Sequence, residues 1–242
     1  MSFHAMSGPT VGRLGSSGRR GEVAGMGISQ LEALSESTRR AICADLAGSD
    51  FSPSELAELR LKAKNTITHH LEMLNGVGLV DSRRSSGDGR QRYVSLTERG
   101  GQLFPPNDVI ESPTFVCWNG AERSQLAATI WHRLTGQSAR AYGIQPIGNV
   151  HPGIAFAAKK AGVSFRAFRP VAIQTEQLGS AVIVVCDRAW EHWARRGRPT
   201  AQRFVHWSIP NPRTGEGGRD SFRSVVEEIS KRCKREASTI QP

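Results

Sequence analysis

Cys117 and Arg123 bracket five residues in the stretch Phe115-Val-Cys-Trp-Asn-Gly-Ala-Glu-Arg-Ser-Gln125. At that spacing a loop made of Trp118, Asn119, Gly120, Ala121 and Glu122 can curl around one tetrahedral oxyanion. Its backbone N–H groups, and those of a helix starting at Arg123, would point at the anion. The same positive field would stabilise a thiolate on Cys117. Arg123 offers a planar fork for two oxygens, Ser124 can donate a hydrogen bond to the thiolate, and Gly120 permits a left-handed turn inside the loop.

Such a loop needs a strand to end at the cysteine and a helix to begin near the arginine. Phe115-Val-Cys117 is a short apolar strand, and the pattern predicts a helix from about Arg123 to Leu134. Downstream, Ala139–Ile144 is a strand candidate, and a helix is entered at Pro152 and stopped at Gly162. Ala181–Cys186 is a Val-rich run suited to a strand buried on both faces. Arg203–Trp207 is a further strand, and Asp220–Lys234 is an amphipathic closing helix with Phe222, Val225, Val226 and Ile229 inward. Strand and helix alternate, so residues 113–236 predict an α/β domain, a small doubly wound parallel sheet with the anion loop at the carboxyl end of its first strand. A tail would occupy 237–242.

The chain before it is of another kind. With 242 residues and a net charge of +10, there is room for two domains and reason to expect a polyanionic partner. Residues 1–27, rich in Gly, Ser and Arg, predict a disordered basic arm, unless translation begins at Met26. From Ile28 helical spacing begins, with Leu31 and Leu34 on one face. Ser35 or Ser37 can cap a helix over 38–46 whose apolar side holds Ile42, Cys43 and Leu46. Ser52-Pro-Ser-Glu55 starts another helix, with Leu56 and Leu59 as its buried side. In the next, over 63–75, Ile67, Leu71 and Leu74 face a core while Lys64, Asn65, Thr68 and His69 form a polar face. Lys62 lies in the turn between them. This is a helix-turn-helix, and two strands at 79–84 and 91–96 joined by Ser85-Ser-Gly-Asp-Gly-Arg90 add a wing. Residues 28–98 thus predict a mainly α winged helix-turn-helix whose DNA contacts would be Lys62, Lys64, Asn65, Thr68 and His69 in a major groove and Arg83, Arg84, Arg90 and Arg92 on phosphates. Residues 99–112, with Gly100-Gly101 and Pro105-Pro106, read as a linker that could hold a short dimerising helix.

Four scattered cysteines without a CxxC pair indicate neither a zinc ribbon nor a disulfide framework, and no metal site is expected. No apolar run is long enough for a membrane span. A working thiolate calls for a reducing compartment, so a cytoplasmic location is expected.

Two resemblances extend this reading. Ser-Pro-Ser-Glu-Leu-Ala-Glu-Leu59, Thr68-His-His-Leu71 and Gly78-Leu-Val-Asp-Ser-Arg-Arg84 resemble the winged-helix repressors of the arsenic-repressor (ArsR) type. That implies a homodimer on operator DNA. Leu61 stands where the family's turn has glycine, and the family's Cys-x-Cys metalloid pair is absent. Residues 113 to about 236 resemble the low-molecular-weight tyrosine phosphatase fold and its arsenate-reductase branch. The matching pieces are Phe-Val-Cys117 with Arg-Ser-Gln-Leu-Ala127, His151-Pro-Gly, Val-Val-Cys-Asp187 and His206-Trp-Ser-Ile-Pro-Asn-Pro212. The resemblance implies Cys117 as nucleophile, Arg123 and the loop amides as transition-state binders, and Cys186 as a resolving thiol or a buried strand cysteine. The family's general acid, an Asp before Pro, is here Asn211, which cannot hand over a proton.

The function expected is a DNA-binding transcriptional regulator with an arsenate-reductase-like oxyanion domain, in arsenic response. The alternatives are an active thiol-dependent arsenate reductase, a catalytically weak oxyanion sensor and, less well supported, a tyrosine phosphatase. No bound cofactor is expected; a reductase would need an external thiol reductant. The anion would be arsenate or phosphate. Asp187, another carboxylate at a strand end, has no evident part.

Overall fold

The computed structural model describes residues 28–174, 178–179, 181–214 and 218–240. The basic arm and Met26 lie outside them. The N-terminal unit holds α1 (Ile28–Ser35), α2 (Ser37–Gly48), α3 (Pro53–Leu59), α4 (Lys64–Gly76), β1 (Val80–Arg84), β2 (Arg92–Leu96) and α5 (Glu98–Leu103). Ile42, Leu46, Leu56, Ile67, Leu74 and Leu79 are fully buried at its centre. A capping box fixes the start of α3: Ser52 accepts from the Glu55 amide, and Glu55 accepts from the Ser52 amide. β1 and β2 pair antiparallel from Val80 opposite Leu96 to Arg84 opposite Arg92. A further bridge joins Phe51 to Val94, tying the α2–α3 connection to the wing.

Several local expectations are corrected. The cap of α2 is Glu36, whose carboxylate accepts from the Arg39 amide at 2.9 Å, rather than Ser35 or Ser37. Leu31 and Leu59 are about half exposed, because each sits at the edge of an apolar face rather than at its middle. The stretch expected as a linker opens with α5, a short helix of the kind allowed for there. It packs on the wing side of the N-terminal unit, where a Cβ on Gly100 would lie 2.2 Å from the Leu79 carbonyl oxygen, and it also reaches α9 through Glu98 and Lys231.

The C-terminal unit holds β3 (Thr114–Cys117), α6 (Glu122–Thr135), β4 (Arg140–Gly143), α7 (Pro152–Lys160), β5 (Ala181–Val184), α8 (Asp187–Arg196), β6 (Arg203–His206) and α9 (Arg219–Ala237). The four strands are parallel in the order β4-β3-β5-β6. Register puts Val116, Val184 and His206 on one face of the sheet and Phe115, Ile183 and Val205 on the other. Phe115 meets Trp131 of α6, whereas His206 stacks on Trp190 of α8, so helices cover both faces. α9 packs along α6 and α7. The order reverses about β3, and the ends of β3 and β5 flank the point where such sheets bind ligands. Among the described residues no helix is long and apolar enough to cross a membrane.

In the turn between α3 and α4, Leu61 has φ of 50° and its side chain is 93% exposed. A left-handed conformation costs a β-carbon residue ~1–2 kcal/mol, partly offset in the comparison with glycine by glycine's greater unfolded freedom. Leu61→Gly, which gives up no buried surface, is therefore expected to raise unfolding stability by about 0.5–1 kcal/mol in urea titrations.

Candidate functional site: the cysteine loop and the domain seam

The loop after β3 is shaped by local glycines and by α6. Gly120 has φ of 64°, and a Cβ on it would come within 2.7 Å of the Gly143 amide nitrogen; the reverse contact at Gly143 is equally close. Two backbones thus touch where β3 and β4 end. Gln125, which the sequence reading passed over, locks this arrangement: its amide donates to the carbonyls of Gly120 and Phe168, and its oxygen accepts from the Phe168 amide. No local spacing signals this role, because the partner Phe168 lies 43 residues away.

Cys117 ends β3 at 2% exposure, with its sulfur 3.3 Å from the Ser124 hydroxyl. Trp118 and Asn119 are half-buried. The Asn119 side-chain oxygen is buried without a hydrogen-bond partner among the described residues. Ala121 precedes α6 as its N-cap. Glu122, expected to line the anion loop, is turned away from it. Its carboxylate accepts from the His151 amide at 2.9 Å and from the Arg213 guanidinium. Glu122 therefore anchors the loop instead of facing an anion, which a carboxylate would repel. Arg123 is buried and donates to the Ile209 carbonyl at 2.9 Å. Asn211 lies two residues further along that segment and accepts from the Arg213 amide at 3.1 Å.

Cys186 leaves β5 beside this loop. The Trp118 amide donates to its sulfur at 3.1 Å. Burial pushes the Cys186 thiol up to about 11; Arg123 pulls it back, and the neighbouring Cys117 sulfur adds to the rise. Cys117, Ser124 and Cys186 are thus brought together, with Trp118 between the two cysteines. Cys43 and Cys233 are buried in the two cores, away from this loop.

The expected DNA contacts divide. Lys62, Lys64, Asn65, Thr68 and His69 are all exposed on and just before α4. Arg84, Arg90 and Arg92 are exposed on the wing, where Arg90 pairs with Asp88 at 3.1 Å and Arg92 donates to the Ser82 carbonyl. Arg83 is a correction. Its guanidinium turns inward to both Asp187 oxygens at 3.4 Å and to the Ser208 hydroxyl at 2.5 Å. A buried carboxylate has captured the arginine that the hairpin pattern assigned to phosphates.

Asp187, idle in the sequence reading, is the centre of the seam between the two units. It is fully buried and also accepts from Ser208 at 2.6 Å, from the Ser86 amide at 2.7 Å and from the Ser86 hydroxyl at 3.1 Å, with His206 Nε2 at 3.1 Å. Burial works to raise its carboxyl, but the His206 hydrogen bond and the Arg83 charge outweigh it and hold the group well below the usual carboxylate range. Four residues on, Glu191 accepts from the Ser85 hydroxyl at 2.5 Å, the Asp88 amide at 2.8 Å and the Tyr93 hydroxyl at 3.3 Å. On the far side, Asp50 pairs with the buried Arg232 at 2.7 Å and accepts from the Ser208 amide. Trp190 donates to Glu55 of α3 at 2.8 Å.

A parallel sheet with a cysteine–arginine loop at its switch point, joined to a winged helix-turn-helix, makes the chain a two-domain fusion of a helix-turn-helix unit with an α/β unit. The low molecular weight phosphotyrosine protein phosphatase family model matches residues 113–241, just over half of the chain, and the chain belongs to that family. A helix-turn-helix domain model matches residues 34–83. Among solved structures, a mutant of Bacillus subtilis YwlE is 16% identical with a TM-score of 0.47, over 55% of this chain and 100% of that one. Arsenate reductase from Archaeoglobus fulgidus is 19% identical with a TM-score of 0.42, over 52% of this chain and 98% of that one. Lactococcus lactis ZitR is 29% identical with a TM-score of 0.28, over 28% of this chain and 47% of that one, so the match spans about half of ZitR. No curated protein matches the chain.

Removing Asp187 strands Arg83 and leaves the Ser86 amide without its acceptor. Asp187→Ala is expected to cost about 3–5 kcal/mol of unfolding stability near neutral pH. The native carboxyl is depressed, so its contribution is present above the unfolded value of about 3.9 and is lost as pH falls toward the native value. The gap between wild type and Asp187→Ala in denaturant titrations should therefore narrow between pH ~7 and pH ~2.

Proposed function

We propose that this protein is a DNA-binding transcriptional regulator of the ArsR type whose second domain binds and reduces arsenate. The observation that carries the chemical half is the pair of thiols at the carboxyl ends of the two central strands: Cys117 beside the Ser124 hydroxyl, and Cys186 held by the Trp118 amide. Cys117 as thiolate attacks the arsenic of arsenate; one arsenic–hydroxyl bond breaks, and the hydroxide takes a proton from solvent to leave as water. Cys186 as thiolate then attacks the Cys117 sulfur. The sulfur–arsenic bonding pair goes to arsenic, which departs as arsenite. One disulfide forms, arsenic gains two electrons, and an external thiol reductant restores both thiols. Arg123 and the loop amides stabilise charge on the oxyanion, as donors preset in a buried site do.

The regulatory half is supported by the exposed face of α4, by the exposed arginines of the wing, and by the net charge of +10. The protein is taken to act as a homodimer on a palindromic operator in a reducing, cytoplasmic setting. Binding should weaken steeply with salt, because Lys and Arg displace counterions from phosphates.

A second reading is favoured by Asn211. An amide at the position where the family places its acid supplies no proton to a leaving oxygen, and the high pKa of Cys186 keeps that thiol mostly protonated near neutrality. On this reading the loop captures arsenate or phosphate without turnover and acts as a sensor.

Thiol-dependent arsenate reduction by the full chain separates the two. Under the first reading, Cys117→Ser abolishes reduction and Cys186→Ser slows it unless a small-molecule thiol substitutes. No reduction in the wild type sinks the enzyme and leaves the sensor. Separately, Asn211→Asp is expected to raise hydrolysis of an aryl phosphate by about 10²–10⁴-fold, the usual worth of a placed general acid.

A further inference from the structure

We infer that the Cys117 loop and the wing are coupled: an oxyanion taken by the loop loosens the wing tip from α8 and so tightens its hold on duplex DNA. The inference rests on the reading of function above and adds the route by which one domain addresses the other.

The route begins at Trp118. Its backbone N–H lies in the stretch that would wrap an anion, yet it donates to the Cys186 sulfur. A single N–H serves the sulfur or an oxyanion, not both in good geometry. Its ring is gripped as well: the Arg188 guanidinium sits 4.1 Å from the ring centroid, and the His192 ring meets it edge-on at 5.4 Å. Trp118 is thus fastened to Cys186, Arg188 and His192, which lie in the first two turns of α8 and the residue before it.

The wing tip rests on the same turns. Ser86 is held by Asp187, and Asp88 and Ser85 by Glu191. Between them Gly87 lies so close that a Cβ would fall 2.9 Å from the Arg188 backbone and 2.4 Å from a Glu191 oxygen. In this docked state the Ser86 and Asp88 amides point at carboxylates and are closed to phosphate. Drawing the Trp118 amide to an anion shifts the ring, Arg188 follows it, and the tip loses its seat. The Arg83 bonds to Asp187 and Ser208, and the Asp50–Arg232 pair, hold the two units together while the tip moves. Linkage then requires that DNA tighten the anion by the same factor, and such couplings are typically about 5–150-fold.

The test uses the full-length chain, inorganic phosphate as the anion, and a duplex selected by this protein from a random pool. Ionic strength is matched with chloride, because salt alone shifts DNA binding. Phosphate should tighten duplex binding by at least about fivefold, and duplex should tighten phosphate equally. Gly87→Ala wedges the tip off α8, so it should bind duplex tightly without phosphate, and phosphate should add less than about twofold. Arg188→Gln with His192→Ala frees the Trp118 ring while the tip stays docked, so duplex affinity should remain low and independent of phosphate. Wild-type affinities that ignore each other overturn the inference, as does coupling that survives in both variants. Failure to select any duplex, or no protection of Cys117 from alkylation by phosphate, would instead remove the DNA half or the oxyanion half of the reading of function, and this inference with it.

Discussion

One buried carboxylate organises the junction of this molecule. Asp187 is taken fully out of water, and a bare carboxylate there would be very costly. It persists because serine, histidine and arginine groups from both domains converge on it. Removing either side leaves an unpaired charge, and that asymmetry makes the seam specific. Because Asp187 opens α8 and directly follows Cys186, the same bonds also fix where the second thiol stands relative to the cysteine loop.

The cysteine loop is governed by more local forces. A strand buried on both faces delivers Cys117 to the carboxyl end of the sheet, and a left-handed glycine with a glycine opposite it lets two backbones close to contact distance. Gln125 then fastens the curve from inside the helix. The turn from Cys117 to Gln125 is itself contiguous in sequence, and it closes against the end of β4 and against Phe168 at the switch point of the sheet.

That locality explains what could be read from the amino-acid order. The loop, the flanking strand and helix, the alternation of the second domain and the amphipathic face of α4 all depend on spacing within a dozen residues. The seam does not. Arg83 sits 104 residues from Asp187, and an arginine in a glycine-rich hairpin looks the same whether its partner is a phosphate or a buried carboxylate. Glu122 misled for a similar reason: its place in the loop was legible, but its direction was set by Arg213, 91 residues away. The helix over 187–196 escaped notice because its buried side includes Asp187 and Glu191, polar residues that apolar periodicity does not count.

The pairing of Asp50 with Arg232 has a bearing on how the chain is made. These residues are separated by 182 positions. A ribosome adding about 5–20 residues each second releases Asp50 long before α9 exists. The first domain must therefore spend about 10–35 seconds with an acidic group, meant for burial, without its Arg232 partner. Closure of such distant contacts is a late event, so the nascent molecule passes through a stage in which its helix-turn-helix is already shaped while the wing tip has no α8 to rest on. In that interval it is the early domain, unaccompanied, that is most open to proteases and to chaperones.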